Sequence, residues 1–430
     1  MTQADTIEKR IRDHRLFNLN VEWSHEVVFP YYDGLSIQNI PRSIAQLLGA
    51  DRLVSDPLDN MIWNGIPPQV ERVLLFISDG LGYNWLQQLV ADDDRIRDAV
   101  AFLSDERGPL PLTSCAPSTT TAALPTFWTG TPPATHGMLG SQAFLRELSM
   151  LIKLLHFVPV GGKHDRGVVF DWGFDPATFL PVPTISEILA EVAIPTHLLT
   201  HHNLLETGLS RIMHRGVAHT AVHGGGADFW ILLEELLQST VGQRCYLHAY
   251  LDNVDTLSHL HGSRTHYLQS EIRTQLAHLQ RIVSNPAVHD GKTLILFAAD
   301  HGHHDVQHNL QLHLDDKARS IYEAMRMSAG GTGRLNYLYL REGHKHQVIN
   351  NIDTHFANCL TWIDGLQALE SGLFGNQPAH PEAEFRIGDI VIVVRQGWST
   401  NDQSRKNTPR SRHGGLMQDE MLVPLIWKLI

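Results

Sequence analysis

Five short segments carry side chains able to bind a metal ion or attack an electrophile. The apolar run 73–78 ends on Asp79 and Gly80, and the apolar run 294–299 ends on Asp300, His301 and Gly302. Each reads as a buried strand that delivers ligand atoms to its C-terminal end, where open α/β sheets build their sites. Asp255 and His259 are four residues apart and share a face if that stretch is helical, a spacing that suits a zinc half-site. Pro117-Ser118-Thr119-Thr120-Thr121 is a hydroxyl-rich turn before an apolar stretch, and His413 precedes Gly414 and Gly415 near the end of the chain. The set amounts to three carboxylates, three imidazoles and a hydroxyl, enough for two metal ions and one nucleophile.

Each segment alone has a plain structural reading. Asp79 and Asp300 fit strand-end turns with Gly supplying the bend. Asp255 fits a helix cap, and Asp252 competes with it as a ligand but lies about two turns from His259 on a helix. The threonines fit an N-cap. The functional reading of that turn uses the same geometry, because a helix N-terminus binds phosphate and its potential, with a metal, makes an alkoxide accessible. Pro125 lies inside the helix and is expected to kink or shorten it. Cys115 reads as a small buried side chain. His136 reads as structural, and His303, His304 and His308 as solvated or supporting residues rather than ligands. Arg334 reads first as an ion-pair partner and second as a phosphate contact.

The elements that must position these groups alternate between strand and helix. Strands are expected over 73–78, 196–200, 246–251 and up to Asp300, and helices near 85–90 and over 185–192, 226–238 and 264–284. Thr184 and Glu187 form a capping box, and Pro195 ends that helix. This order predicts an α/β fold with a mostly parallel central sheet and helices on both faces. Residues 1–65 read as an N-terminal extension packing on the core. Residues 66–302 with 411–430 read as the α/β catalytic core, and 303–410 as a smaller α+β cap. Residues 141–180 are apolar and irregular in pattern. Trp128, Phe144, Phe157 and Trp172 are candidates for stacking on a base or alkyl group, or for the core.

Composition narrows the class. The chain has 430 residues, 43% hydrophobic and 19% charged, which suits a globular protein with a large core. With 34 basic against 46 acidic residues, the net charge of −12 argues against a nucleic-acid-binding surface. Three cysteines without CxxC spacing exclude a disulfide framework and a cysteine zinc site. No signal peptide or membrane-spanning run is visible, so a cytoplasmic location is the expectation.

Taken in order, the five segments resemble the alkaline phosphatase superfamily, most of all its nucleotide pyrophosphatase/phosphodiesterase branch. That branch carries a Pro-x-x-Thr turn followed by Thr-Gly-x-x-Pro-x-x-His-Gly, and this chain has Pro117 to Thr120 and then Thr129 to Gly137. The resemblance implies Thr120 as nucleophile, with Thr119 the nearest rival. It implies one ion held by Asp79, Asp300 and His301 with Thr120, and a second held by Asp255, His259 and His413. Zinc suits this donor set, with manganese the second candidate. The implied activity is metal-dependent hydrolysis of a small-molecule phosphodiester or pyrophosphate. The alternatives are a phosphomonoesterase, another superfamily hydrolase acting on a phosphonate or sulfate ester, and a non-catalytic metal-binding relative. Ser141 stands where nucleotide-hydrolysing relatives carry an Asn that donates to the phosphoryl group, and Ser258 where they carry Gly.

Overall fold

The computed structural model describes residues 2–430 except 20, 22–24, 51, 53–54, 64–68, 314, 377 and 401–408. Pro67 and Pro68, ahead of the first strand, lie outside the described residues. The central sheet has seven strands in the order Leu110–Thr113, Leu422–Leu429, Thr293–Ala298, Arg72–Ser78, Cys245–Leu251, Thr196–His201 and His219–His223. The last five of these are mutually parallel, and Leu422–Leu429 runs antiparallel between Thr293–Ala298 and Leu110–Thr113. The expected mostly parallel α/β core is therefore present. Its three middle strands are buried at every residue, which requires cover on both faces and explains their unbroken apolar runs.

Register carries the chemistry to one end. Ile77 pairs with Ala298 and Ser78 with Leu251. Continued past the strand ends, that register sets Asp79, Asp252 and Asp300 side by side at the C-terminal edge of the sheet.

Most elements read from the sequence form within a residue or two of the expected bounds, which is the usual scatter of helix ends. The first helix after the opening strand is longer, Tyr83–Asp92. Helix Ile185–Glu191 starts at the Thr184 cap, where Glu187 N–H donates to Thr184 Oγ1 (3.1 Å) and Thr184 N–H to Glu187 Oε2 (2.8 Å). Helix Gly226–Ser239 and the long helix His266–Val283 follow as expected.

The stretch beginning at residue 141 is less irregular than its pattern suggests. Gln142–Leu145, Met150–Lys153 and Val158–Pro159 are short strands of a second seven-stranded sheet. The same sheet takes Gly330–Gly331, Leu335–Leu338, Ile390–Val394 and Leu360–Asp364, and the two sources meet where Gly331 pairs with Gln142. One hydrophobic cluster runs through both sheets and takes in Ile7 and Ile11 of the N-terminal helix Gln3–Asp13. A smaller cluster lies beneath residues 310–360. No helix among the described residues is long and apolar enough to cross a membrane.

Candidate metal centre and nucleophile

Helix Thr120–Thr129 opens directly after Thr119, which has extended backbone and whose carbonyl accepts from Ala122 N–H (2.9 Å) and Ala123 N–H (2.8 Å). The first-turn N–H groups of Thr120 and Thr121 have no acceptor within the helix and aim outward. The helix runs on through Pro125 to Thr129. Thr126 Oγ1 donates to Ala122 O (2.9 Å) on its inner side, and His136 braces it there. Met138 N–H donates to His136 Nδ1 (3.1 Å), so Nε2 carries the proton and donates to Thr126 Oγ1 (3.0 Å). His136 is thus a fully buried strut of helix Thr120–Thr129.

Thr120 Oγ1 lies 3.4 Å from Asp79 Oδ2 and 3.1 Å from His301 Nε2. Thr119 is almost fully buried and makes neither contact. Asp79, Asp300 and His301 close up around this hydroxyl. His301 Nε2 is 3.4 Å from Asp79 Oδ1 and 3.4 Å from Asp300 Oδ2. Each carboxylate has one oxygen held by donors. Asp79 Oδ2 accepts from Tyr250 OH, and Asp300 Oδ1 accepts from Gly80 N–H (3.1 Å) and His301 N–H (2.9 Å). The other two oxygens, Asp79 Oδ1 and Asp300 Oδ2, are buried without a hydrogen-bond partner. An orphaned buried carboxylate oxygen is costly unless a cation meets it. Burial, with Asp300 and Asp255 nearby, accordingly pushes the Asp79 carboxyl well above its ordinary range.

The second group is centred on Asp255. Helix Asn253–His261 starts one residue past the strand Cys245–Leu251, and Asp255 N–H donates to Asp79 O (2.9 Å), which ties the two groups by backbone. Gly80 makes that approach possible: its φ is +82°, and a Cβ there would lie 2.9 Å from Asp255 Cα. Asp255 Oδ1 is 3.4 Å from His259 Nε2, 3.5 Å from His413 Nε2 and 2.8 Å from His303 Nε2. Burial alone would raise the Asp255 carboxyl, but the imidazoles around it, His303 nearest, hold it below its usual range.

The imidazoles are oriented from behind. Nδ1 of His301, His259 and His413 faces the carbonyl oxygens of Gly302 (3.1 Å), Ser411 (2.9 Å) and Ser118 (3.2 Å). Each Nδ1 therefore carries the proton, and each Nε2 offers a lone pair to the centre, the arrangement that metal-bound histidines use. The residues thus fit two divalent ions, with Asp79, Asp300 and His301 in one group and Asp255 with its imidazoles in the other. Two overlapping groups, Asp79/Asp300/His301 and Asp255/His301/His303/His413, each bring ligand atoms within 4.8 Å of one another.

Of the two places the sequence allowed it, solvated or supporting, His303 takes the second: it is buried beside Asp255, and burial pushes its imidazole down to about 4. A signal was available in the alternation of His301, Gly302 and His303, since a chain bent at Gly302 can aim both rings inward. Gly302 sits so close to the short helix Gln418–Met421 that a Cβ would lie 2.1 Å from Asp419 O. His304 is also buried, beside Arg334 and Glu420, whereas His308 is exposed. Asp252 and His259 are absent from both ligand groups, although His259 Nε2 approaches Asp255 Oδ1 to 3.4 Å.

Other candidates take structural places. Arg334 pairs with Glu420, both fully buried, at 2.7 Å. Ser141 Oγ donates to Gly331 O (3.0 Å), so its hydroxyl proton is committed to the second sheet. Cys115 is buried and its thiol pushed up to about 12 by burial. A cavity of about 30 Å³ adjoins Thr120, walled in part by Leu124, Trp128, Leu155, Leu204 and Met213. Trp128 stacks there on His248, with 4.4 Å between centroids. Phe157 packs in an aromatic cluster with Phe170, Phe174 and Phe179, Phe144 lies near Tyr339, and Trp172 is exposed.

Comparison with known proteins agrees with the fold. Residues 206–416 match the family model described as type I phosphodiesterase / nucleotide pyrophosphatase. Among solved structures, murine ectonucleotide pyrophosphatase/phosphodiesterase 5, as an inactive variant with AMP, superposes with a TM-score of 0.61 at 14% identity, over 83% of this chain and 87% of that one. The human form of that protein gives 0.61, also at 14% identity, with the same coverage. Phosphonoacetate hydrolase from Sinorhizobium meliloti 1021, with phosphonoformate, gives 0.60 at 16% identity, over 85% of this chain and 92% of that one. No curated protein matches the sequence. The family model agrees with the resemblance to the nucleotide pyrophosphatase/phosphodiesterase branch over residues 206–416, and the solved structures share the fold.

Proposed function

We propose that this chain, a hydrolase of the nucleotide pyrophosphatase/phosphodiesterase-like branch, cleaves phosphodiester or pyrophosphate bonds of a small molecule with Thr120 as nucleophile. The observation that carries this reading is the setting of Thr120 Oγ1, at the mouth of a helix and 3.1 Å from His301 Nε2, beside two buried carboxylates that each keep one oxygen unpartnered.

Asp79, Asp300 and His301 would hold one divalent ion, and Asp255, His259 and His413 the other. Bound there, the ions supply Lewis acidity and neutralise charge on phosphoryl oxygens. Zinc is the metal this reading favours, because carboxylate oxygens and imidazole nitrogens are its ordinary ligands. The chain's own residues do the rest. Tyr250 and the Gly80 and His301 amides fix the carboxylates from outside, so the ligand oxygens need no reorganisation. Thr120 Oγ1 attacks phosphorus in line, and the ester oxygen leaves on the opposite side. The Thr120 and Thr121 amides are aimed where a nonbridging oxygen gathers charge, the use to which helix N-termini are suited. Water then releases the phosphoryl group from Thr120. The mainly apolar cavity by Trp128 and Leu155 lies against one side of Thr120.

A diester is favoured over a monoester because residues 111–140 contain no Arg or Lys to hold a second phosphoryl charge. A second reading, a phosphonate hydrolase, is favoured by Ser141. It stands at the Asn position of nucleotide-hydrolysing relatives, and its proton is already given to Gly331 O. Metal-stripped protein refilled with zinc or manganese, and offered bis-p-nitrophenyl phosphate, p-nitrophenyl phosphate and phosphonoacetate, separates the readings. Metal-dependent preference for the diester is expected. Preference for phosphonoacetate would move the assignment to the second reading, and no turnover of any with metal bound would count against both.

A further inference from the structure

We propose that His303 is a fourth protein ligand of the ion held at Asp255, making that site Asp255, His259, His303 and His413. The proposal rests on the two-metal reading above and adds to it a ligand that the resemblance does not supply.

Three geometric facts carry it. First, three imidazole nitrogens converge on a single oxygen. Asp255 Oδ1 has His303 Nε2 at 2.8 Å, His259 Nε2 at 3.4 Å and His413 Nε2 at 3.5 Å. Ligand atoms about 2.0–2.1 Å from one tetrahedral zinc are about 3.3 Å from each other, close to the His259 and His413 distances, and Asp255, His303 and His413 bring ligand atoms within 4.8 Å of one another. Second, the rings stand in a nearly equilateral triangle. The centroid separations are 4.9 Å for His259–His303, 5.0 Å for His303–His413 and 5.2 Å for His259–His413. No ring is set apart from the other two, as an outer partner of a three-ligand site would be.

Third, the hydrogens around His303 leave its Nε2 as a donor of electrons, not of a proton. Ser411 Oγ gives its one hydrogen to Ser258 O (2.7 Å). It can then only accept from His303 Nδ1 (3.0 Å), which places the imidazole proton on Nδ1. A neutral ring in that tautomer presents a lone pair to the carboxylate, and two lone pairs at 2.8 Å repel unless a cation joins them. The backing of His303 by Ser411 parallels that of the other imidazoles by carbonyls, so all the rings are oriented alike. Ser411 serves two of them, through its carbonyl to His259 and its hydroxyl to His303.

The consequence is a crowded second site. Four protein ligands approach the closed count of structural zinc, whereas a catalytic ion with three keeps a position open. An incoming oxygen at this ion must therefore make it five-coordinate or displace a ligand.

Three measurements test this without reading turnover. The first is a crystal structure of the zinc-loaded wild-type protein. His303 Nε2 bound to an ion at about 2.1 Å is expected. Two bound ions with His303 still hydrogen-bonded to Asp255, and outside both spheres, would overturn the proposal while leaving the two-metal reading intact. No ion at Asp255 would remove both. The second measurement is His303→Cys loaded with cobalt(II). A sulfur-to-cobalt charge-transfer band in the near ultraviolet is expected, because a thiolate shows it only when bound to the metal. Two bound cobalt ions without the band would overturn the assignment. His303→Ala should bind one of the two zinc ions at least about 100-fold more weakly, the upper end of what removing an outer partner costs.

Discussion

His301 and His413 stack face to face, with ring centroids 3.8 Å apart and planes within 9° of parallel. One ring belongs to the group around Asp79 and the other to the group around Asp255, so the contact fixes the spacing of the two groups. The His413 ring stays neutral there. Burial and the neighbouring His301 hold the His413 imidazole well below its ordinary range. Replacing His413 by Ala should therefore loosen both groups. Zinc titration of metal-free protein is expected to show weakened binding at both sites, with the larger loss at the Asp255 group.

Thr120→Ala should reduce turnover by at least about a thousand-fold, the scale of losing an activated nucleophile. Thr120→Ser should keep a substantial fraction, because the hydroxyl persists and only the methyl is lost. Steady-state kinetics on the metal-loaded variants checks this, with the zinc content of each measured alongside. Thr119→Ala should retain activity, since Thr119 touches neither Asp79 nor His301.

Removing the metal should destabilise the fold. Asp79 Oδ1 and Asp300 Oδ2 have no partner of their own. Binding that occurs only in the folded state adds stability of about 2.7 kcal/mol at a ligand concentration one hundred times Kd. Thermal unfolding with chelator, then with added zinc, should therefore show a rise in Tm that grows with zinc concentration. An unchanged Tm would count against the two carboxylates as ligands.

The Arg334–Glu420 pair should matter for both stability and the site. Glu420 Oε1 accepts from Gly415 N–H (2.9 Å), just after His413, and the Glu420 backbone carbonyl accepts from Gly302 N–H (2.9 Å), just after His301. Burial raises the Glu420 carboxyl, but Arg334 outweighs it and the net shift is downward. Glu420→Gln leaves a buried guanidinium without its counter-charge, a change that costs about 3–5 kcal/mol. Denaturant unfolding should show that loss, and the variant should also bind zinc more weakly through the two ligand loops.

Acid should destabilise the metal-free protein through buried histidines. Burial pushes His136 and His248 down to about 3 and His214 to about 4, from an ordinary 6.5. Their folded-state values are depressed, so the unfolded chain binds more protons below pH 6.5. Their contribution is fully present above that pH and falls as the pH drops toward 4, by up to about 1.4 kcal/mol per pH unit for each group. Urea unfolding between pH 7 and pH 4 should show this slope. His214→Gln should reduce the slope by about one proton.

The central sheet was legible because parallel strands covered on both faces are continuous apolar runs, and their carboxylates follow directly. Asp79 and Asp300 come level because the strands before them pair in register, something the matching strand ends already suggest. The second sheet was not legible in residues 141–160. Its strands there are four residues or shorter, too brief for a period to register. One of them finds its partner, Gly331, far along the chain. Arg334 was legible as an ion-pair member, but its partner Glu420 shows no pattern in sequence, because a buried counter-charge at a helix end looks like any other acidic residue. His303 was hidden by its neighbours, since a run with His301, His303 and His304 does not say which rings the turn at Gly302 aims inward.

The most direct test of Thr120 as nucleophile is a rapid acid quench during turnover of bis-p-nitrophenyl phosphate, followed by peptide mass spectrometry. The account predicts a p-nitrophenyl phosphoryl adduct on Thr120, formed with metal-loaded protein and absent after chelation. Turnover in which the adduct lies on Thr119, or in which no adduct forms while Thr120→Ala remains active, would contradict it.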